Sequence, residues 1–135
     1  MKTYKDIVKR SVDLGGMQIE NNMIDSIEVV VVGHFGNIVT LDMFFTNCCL
    51  FSQYNLGGYL GDVLKVIVEV LDLTDDDGVC VSKIKNVPVR IVSESGCGSK
   101  VIGFGHFMKD RFVLVEDVLG LAKTNYLERV NGVAK

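Results

Sequence analysis

The sequence has few of the residues with which proteins usually build recognisable chemistry. It contains two histidines, and its four cysteines, Cys48, Cys49, Cys80 and Cys97, form no paired C-x-x-C motif. The spacing is therefore wrong for a zinc knuckle, and it favours reduced, mostly buried thiols in a reducing compartment. We accordingly predict no metal site and no cofactor.

Positive charge and long apolar runs are also scarce. The chain has 14 basic and 17 acidic residues, and its basic cluster is confined to Lys2, Lys5, Lys9 and Arg10. Nucleic-acid binders usually carry a basic excess, so nucleic acid is disfavoured as the main partner. No apolar run reaches the roughly 18 residues of a membrane-spanning helix, and no signal-peptide pattern opens the sequence. We therefore expect a cytoplasmic protein without a membrane anchor.

The residues that are present indicate one α+β domain. A chain of 135 residues with 48% hydrophobic residues is long enough to bury a core and favours a single domain, residues 1–135. Within it we predict an N-terminal helix in residues 1–16, a core over residues 24–117 and a C-terminal helix or tail in residues 118–135.

Five apolar runs predict the strands. Residues 24–32 are rich in β-branched side chains and residues 38–45 alternate apolar with polar positions, which predicts a hairpin. Three shorter runs, at residues 87–93, 99–108 and 111–115, are joined by short turns and predict a meander. Together with the helices they give the order α-ββ-α-βββ-α, a mainly antiparallel sheet of about five strands with a long amphipathic helix packed on one face.

The stretch QYNLGGYLGDVLKVIVEVL, residues 53–71, has the strongest helical pattern and the most suggestive loop. It lacks the Lys-Ser or Lys-Thr of a phosphate-binding loop and the glycine spacing of a dinucleotide fingerprint. Two interpretations remain: the glycines shape a turn and Gly61 lets the helix sit close to the sheet, or the loop contacts a ligand. In the second, the ligand-binding residues are Tyr54, Asn55, Gly57, Gly58 and Tyr59, with Arg90 or His106 nearby.

The two last-named residues also have simpler interpretations. Alternation in VPVRIV places Arg90 on the less apolar face of a strand, as an ordinary surface arginine or an anion contact. In VIGFGHF, Ile102, Phe104 and His106 share one face, and Gly103 and Gly105 leave room for close packing on the other. His106 is then a core histidine bonded to the backbone, or it lines a site, whereas His34 falls in a turn.

An acidic segment follows the helix. The calcium-loop pattern fails there, because Leu73 and Ile84 fall where two ligands are needed. A solvated acidic turn is the simpler interpretation. The alternative is a partner-binding surface that imitates a row of nucleic-acid phosphates toward a basic host protein. Its residues would be Asp72, Asp75, Asp76 and Asp77.

Three blocks, QYNLGGYLGDVLKVIVEVL, KIKNVPVRIV and VIGFGHFMKDRFVL, carry a resemblance. In order and spacing they resemble small, mostly uncharacterised phage and prophage proteins that share a Gly-Gly-Tyr segment before a helix and an Ile-Gly-His-like strand. Asn86 stands where the middle block usually has glycine, and Phe112 replaces a tryptophan. The resemblance covers roughly residues 24–117. It implies a phage or mobile-element origin and brings no catalytic residues.

These patterns predict a small non-catalytic binding protein. The leading hypothesis is an inhibitor of a host defence system, similar in kind to an anti-CRISPR protein, that acts by contact with a host protein. The alternative is a sponge that sequesters a nucleotide-like small molecule. A hydrolase or transferase with a Cys-His pair is a third hypothesis, and an exposed apolar sheet face would favour a homodimer.

Overall fold

A computed structural model describes residues 2–33, 38–52, 54–73, 78–94 and 100–132. This part of the chain forms one open antiparallel sheet of six strands with two α-helices, which confirms the α+β class. The strands are β1 (Gln18–Val32), β2 (Ile38–Phe45), β3 (Cys48–Leu50), β4 (Val87–Ser93), β5 (Val101–His106) and β6 (Phe112–Leu114). The helices are α1 (Leu60–Val70) and α2 (Val115–Leu127).

The long strand β1 lies at the centre of the sheet, whose order is β3-β2-β1-β4-β5-β6. Residues 18–24 of β1 pair with β4, and residues 24–32 pair with β2. The strand changes neighbour at a register shift between Ile24 and Ser26. A bulge of this kind bends a strand and increases its twist. The sheet curls, and β3 at one edge comes close to β5 near the other.

The sequence predicted about five strands, and the structure has six among the described residues. In addition, β1 begins at Gln18, earlier than the predicted residue 24. The additional strand is β3, which contains the two adjacent cysteines and pairs with the end of β2. The early part of β1 carries Gln18, Glu20 and Asn22, which lie opposite Ser93, Ile91 and Val89 of β4. The first part of β1 was missed because strands are predicted from an apolar pattern, and these polar side chains interrupt that pattern.

Helix α1 packs on one face of the sheet, as predicted. Its buried side chains join a single core cluster with residues of β1, β2, β4 and β5. The helical spacing of the apolar residues produces this face, because positions three and four apart lie on the same side of a helix. The buried residues of α1 are Val63, Val66, Ile67 and Val70.

The predicted N-terminal helix was wrong. Two short 3-10 helices, Tyr4–Asp6 and Ser11–Leu14, take its place. Between them, the backbone of Lys9 exchanges two hydrogen bonds of 2.8 Å with Phe112 of β6. A residue within an α-helix has its amide and carbonyl engaged along the helix, so Lys9 must leave helical geometry to pair with the strand. The N-terminal segment therefore runs along β6.

Candidate functional site

The glycine turn before α1 is built for packing in at least one position. A Cβ atom on Gly58 would lie 2.6 Å from the ring of Tyr126 in α2, so only glycine fits there without a shift. Gly57 has a φ of +47°, which glycine adopts without strain. The Tyr59 hydroxyl donates to the Asn55 carbonyl at 3.0 Å and closes the turn.

Gly61 does not have the role predicted for it. It is exposed, and a Cβ added to it would meet no atom within 4 Å. The close approach that the sequence indicated for this glycine takes place three residues earlier, at Gly58. The neighbour there is also different, since Gly58 faces α2 rather than the sheet.

The predicted ligand-binding residues lie in two separate places. Tyr54, Asn55, Gly57, Gly58 and Tyr59 precede the N-terminal end of α1. Asp72 follows the other end of the helix, and the imidazole of His106 lies 3.5 Å from its carboxylate. An 11-residue helix is roughly 16 Å long. The glycine turn and the histidine therefore do not surround a common small ligand.

Asp72 joins α1 to the turn between β5 and β6. The residue has a φ of +55°, directly after the helix, and its carboxylate binds Lys109 and, at 3.0 Å, Arg111. Hydrogen bonds from Lys109 and Arg111 lower the pKa of Asp72, and burial opposes this shift. Since these cations already engage its carboxylate, Asp72 is not presented as an uncompensated acidic side chain. Asp75, Asp76 and Asp77 lie outside the described residues.

Arg111 also caps the helix. Its guanidinium donates to the carbonyl oxygens of Glu69 and Val70 at 3.3 Å, in the last turn of the helix, where carbonyl groups run short of intrahelical partners. A cation at this end is favourable because the helix dipole is negative there. The cap and the Asp72 ion pair together fasten the β5–β6 turn to α1.

His106 is held by both ring nitrogens. Its Nδ1 accepts the backbone N–H groups of Met108 and Lys109, each at 3.0 Å. The ring proton must then lie on Nε2, which faces Asp72. The imidazole is thus bonded to the backbone of its own turn, and its side chain is partly buried. Burial lowers the pKa of His106, as do Lys109, Arg111 and Arg90, against the opposing charge of Asp72.

The predicted alternation of side chains between the two faces of β5 fails at one residue, Ile102. Phe104 belongs to the main core cluster, but Ile102 packs in a second cluster on the opposite face. A register shift between β4 and β5 accounts for this, because Val92 pairs with Gly103 whereas the next residue of β4 pairs with Val101. The extra residue reverses the alternation from that point, and no sequence pattern marked it.

We expect a specific pH dependence from His106. Its folded-state pKa lies below its unfolded value of about 6.5, so the unfolded chain takes up the proton first. The stabilisation is complete above this pH and is lost as the pH falls through the folded pKa. The slope from one proton is at most about 1.4 kcal/mol per pH unit. Denaturant unfolding of the wild type between pH 7 and pH 5 measures it.

The matched control for this prediction is His106→Asn. The asparagine oxygen can occupy the acceptor position of Nδ1, and the side chain does not titrate. The variant should therefore have a flatter pH profile than the wild type over this interval. Equal slopes in the two proteins would show that His106 does not produce the dependence.

Arg90 projects from the less apolar face, as predicted, but its guanidinium is used within the fold. It donates to the carbonyl oxygens of His106 at 2.9 Å and Lys109 at 2.6 Å. It also lies over the ring of Phe112, 4.6 Å from the centroid. Two N–H donors of the guanidinium group bind carbonyl oxygens of the β5–β6 turn, and its flat face packs on Phe112.

The described cysteines do not form a nucleophile with His106. Both nitrogens of that imidazole are engaged by Asp72 and the turn, so neither accepts a proton from Cys48, Cys49 or Cys80 in this arrangement. Burial raises the pKa of the Cys48 thiol, and the neighbouring Cys49 and Glu20 act in the same direction. Cys97 and His34 lie outside the described residues, so a pair that involves either stays a prediction.

A cleft opens where the curled sheet brings β3 near β5. Its volume is about 510 Å³, within the range of roughly 300 to 1,000 Å³ typical of ligand pockets. Its walls come from four parts of the chain: β3 with the residues after it, the ends of the β4–β5 connection with the start of β5, β6 with the start of α2, and Met17. Tyr54 lines this cleft and is the one predicted ligand-binding residue that does.

A second surface lies at the tip of the β5–β6 turn. The amide of Ser11 donates to Asp110 at 2.7 Å, so the N-terminal segment lies beside the tip. We call residues 9–13 with residues 108–111 the hairpin-tip surface. Val12 and Met108, at 71% and 79% exposure, are the most exposed large apolar side chains of the described residues. Neither residue was predicted to be functional. The one signal in the sequence was the position of Met108, an apolar residue directly before the charged residues 109–111.

Metal-binding clusters and membrane-spanning helices are both absent from the described residues. These residues contain no group of three or more histidine, cysteine, aspartate or glutamate side chains placed to hold a metal ion. No helix among them is both long and apolar enough to cross a membrane.

No family model, no curated protein and no solved structure matches this chain.

Proposed function

We propose that this chain is a non-catalytic binding protein that contacts a partner protein through the hairpin-tip surface. The observation that carries the proposal is the exposure of Val12 and Met108, at 71% and 79%, beside the bonded pair of Ser11 and Asp110. Exposed apolar side chains rimmed by charges are typical of protein-binding surfaces.

The charge around this surface favours an acidic partner. Five basic side chains lie on or directly behind it, with three acidic ones, which gives a net charge of +2. The other nine basic and 14 acidic side chains of the chain give −5. The basic side chains are Lys9, Arg10, Arg90, Lys109 and Arg111, and the acidic ones are Asp13, Asp72 and Asp110.

This polarity is the reverse of the one predicted from the acidic turn. The basic excess is modest, and carboxylates stand among the cations, as in Arg10 and Asp13, 4.0 Å apart. A polyanion such as nucleic acid usually meets a denser basic patch. The mixture of charge with apolar side chains suits an acidic protein surface better.

The biological setting we propose is the one that the sequence resemblance implies. The chain would be a phage or mobile-element protein that inhibits a host defence protein by occupying its surface. The support for this setting is the resemblance of three sequence blocks. A nucleotide sponge built from the predicted residues has no geometric support, because the glycine turn and His106 lie at opposite ends of α1.

The test compares capture of host proteins by the wild type and by variants of the surface. Arg10→Glu and Met108→Ser change side chains that are largely exposed, so the fold should be retained. We expect each to weaken binding of the same captured protein about tenfold or more, as central interface residues do. The affinity for the purified partner should also fall as salt rises from 50 to 500 mM.

The matched controls are Lys123→Glu and Val31→Ser. Lys123 is exposed on α2, Val31 is 65% exposed on β1, and neither belongs to the hairpin-tip surface. They should bind the captured protein as the wild type does. The proposal fails if the controls lose the partner equally, or if duplex DNA or anionic vesicles bind more tightly than any protein.

A further inference from the structure

The cleft between β3 and β5 combines an apolar floor with a charged rim. The rim contains Glu94 and Lys100, which are joined through a 3.1 Å backbone hydrogen bond, and Glu116 in the first turn of α2. The thiols of Cys48 and Cys49 and the hydroxyls of Ser52 and Tyr54 line a further part. The floor and walls include Leu50, Phe51, Val101, Ile102, Leu114 and Val115.

The rim charges decide the kind of molecule that fits. The described rim carries two carboxylates and one ammonium group, so its formal charge is negative by one. Burial raises the pKa of the Cys48 thiol, which favours its neutral form and adds no negative charge to the wall. The formal rim charge therefore favours an ammonium group over an anionic one, against the positive end of the α2 dipole, and the floor would take an apolar body.

We propose that this cleft binds a small amphipathic molecule with an apolar body and a cationic amine. The site is independent of the hairpin-tip surface, because none of its lining residues belongs to that surface. It also differs from the predicted nucleotide site, which would have to accept phosphate.

Three naphthalene compounds of similar size test the ligand class. They are 1-naphthylmethylamine, 1-naphthalenemethanol and 1-naphthoate, which carry a positive, a neutral and a negative group. We expect the amine to bind about fivefold more tightly than the carboxylate, since a partly exposed ion pair changes affinity by up to about that factor. Calorimetry at low salt measures all three. Equal or tighter binding of the carboxylate, or no binding of any compound, would overturn the proposal.

Variants of the rim and wall locate the binding. Glu116→Gln should weaken the amine about two- to fivefold and leave the alcohol unchanged, because only the charge is removed. Cys49→Trp places a large ring at an exposed wall position and should weaken all three compounds. The control is Thr46→Trp, at an exposed residue of the same hairpin outside the cleft. Unaltered binding by Cys49→Trp would show that the compounds bind elsewhere.

Cysteine labelling gives a second readout that does not depend on a variant. Cys49 and Cys80 are both exposed, but only Cys49 lines the cleft. Saturating 1-naphthylmethylamine should slow alkylation of Cys49 by iodoacetamide severalfold and leave Cys80 unchanged, as measured by peptide mass mapping. Equal protection of both, or of neither, would contradict occupancy of the cleft.

Discussion

Replacing Gly105 with alanine should lower the free energy of unfolding by about 3 kcal/mol, the upper part of the range for overpacked sites. A Cβ atom at this position would lie 2.5 Å from the carbonyl oxygen of Arg111 and against the ring of Phe112. Backbone on a neighbouring strand cannot rotate away as a flexible side chain can. Denaturant unfolding measures the loss. Gly103→Ala should behave similarly, since its Cβ would lie 2.5 Å from the carbonyl oxygen of Val113.

Gly120→Ala is the matched control. Gly120 is exposed within α2, and an added Cβ would meet nothing within 4 Å. Alanine is favoured over glycine in a helix by roughly 1 kcal/mol, so this variant should be more stable than the wild type. If Gly105→Ala were as stable as Gly120→Ala, that result would contradict the close packing of Gly105 against Arg111 and Phe112.

The second large effect is expected where the curled sheet nearly closes. Phe51 follows β3, and Phe104 lies in β5; their rings meet edge to face with centroids 6.3 Å apart. Both rings are buried, so Phe104→Ala should cost about 3 to 5 kcal/mol in thermal or denaturant unfolding. Phe44→Ala, at a half-buried position of β2, should cost clearly less.

Phe51 offers a sharper test, because its backbone has a φ of +70°. A bulky residue there is strained by roughly 1 to 2 kcal/mol, and glycine is not. Phe51→Gly should therefore be less destabilising than Phe51→Ala, although it removes one more carbon atom. A larger loss of stability in Phe51→Gly than in Phe51→Ala would contradict this backbone conformation. A double-mutant cycle with Phe104→Ala should give a coupling of about 1 kcal/mol.

The sequence predicted those elements whose local pattern and tertiary setting agree. In α1 the apolar spacing is helical and the helix packs by that face, so local and global preferences coincide. Gly103 and Gly105 were also interpreted correctly as sites of close packing, because two glycines on one strand face leave room for a neighbour. The N-terminal segment had a helical pattern too, but its pairing with Phe112 overrode it.

The candidate sites were much less predictable. The cleft combines residues from separate parts of the chain, and no short motif connects Cys49 with Glu94 or Glu116. Arg90 and His106 were identified as polar residues on strands, but sequence alone could not tell that their donors and acceptors are used by the β5–β6 turn. Hydrogen-bond partners at such distances depend on the register of the strands, which includes the extra residue at Ile102.

The double pairing of β1 has a consequence for how the chain folds. Strands β1 to β3, and strands β4 to β6, each pair with their neighbours in sequence, so either set can form from short loops. Within the described residues, the ladder that joins the two sets pairs residues 18–24 with residues 87–93. Closing so long a loop costs chain entropy before the contacts of the ladder can stabilise it. That ladder should form last, and the first half of β1 should determine the rate at which the two halves of the chain become one core.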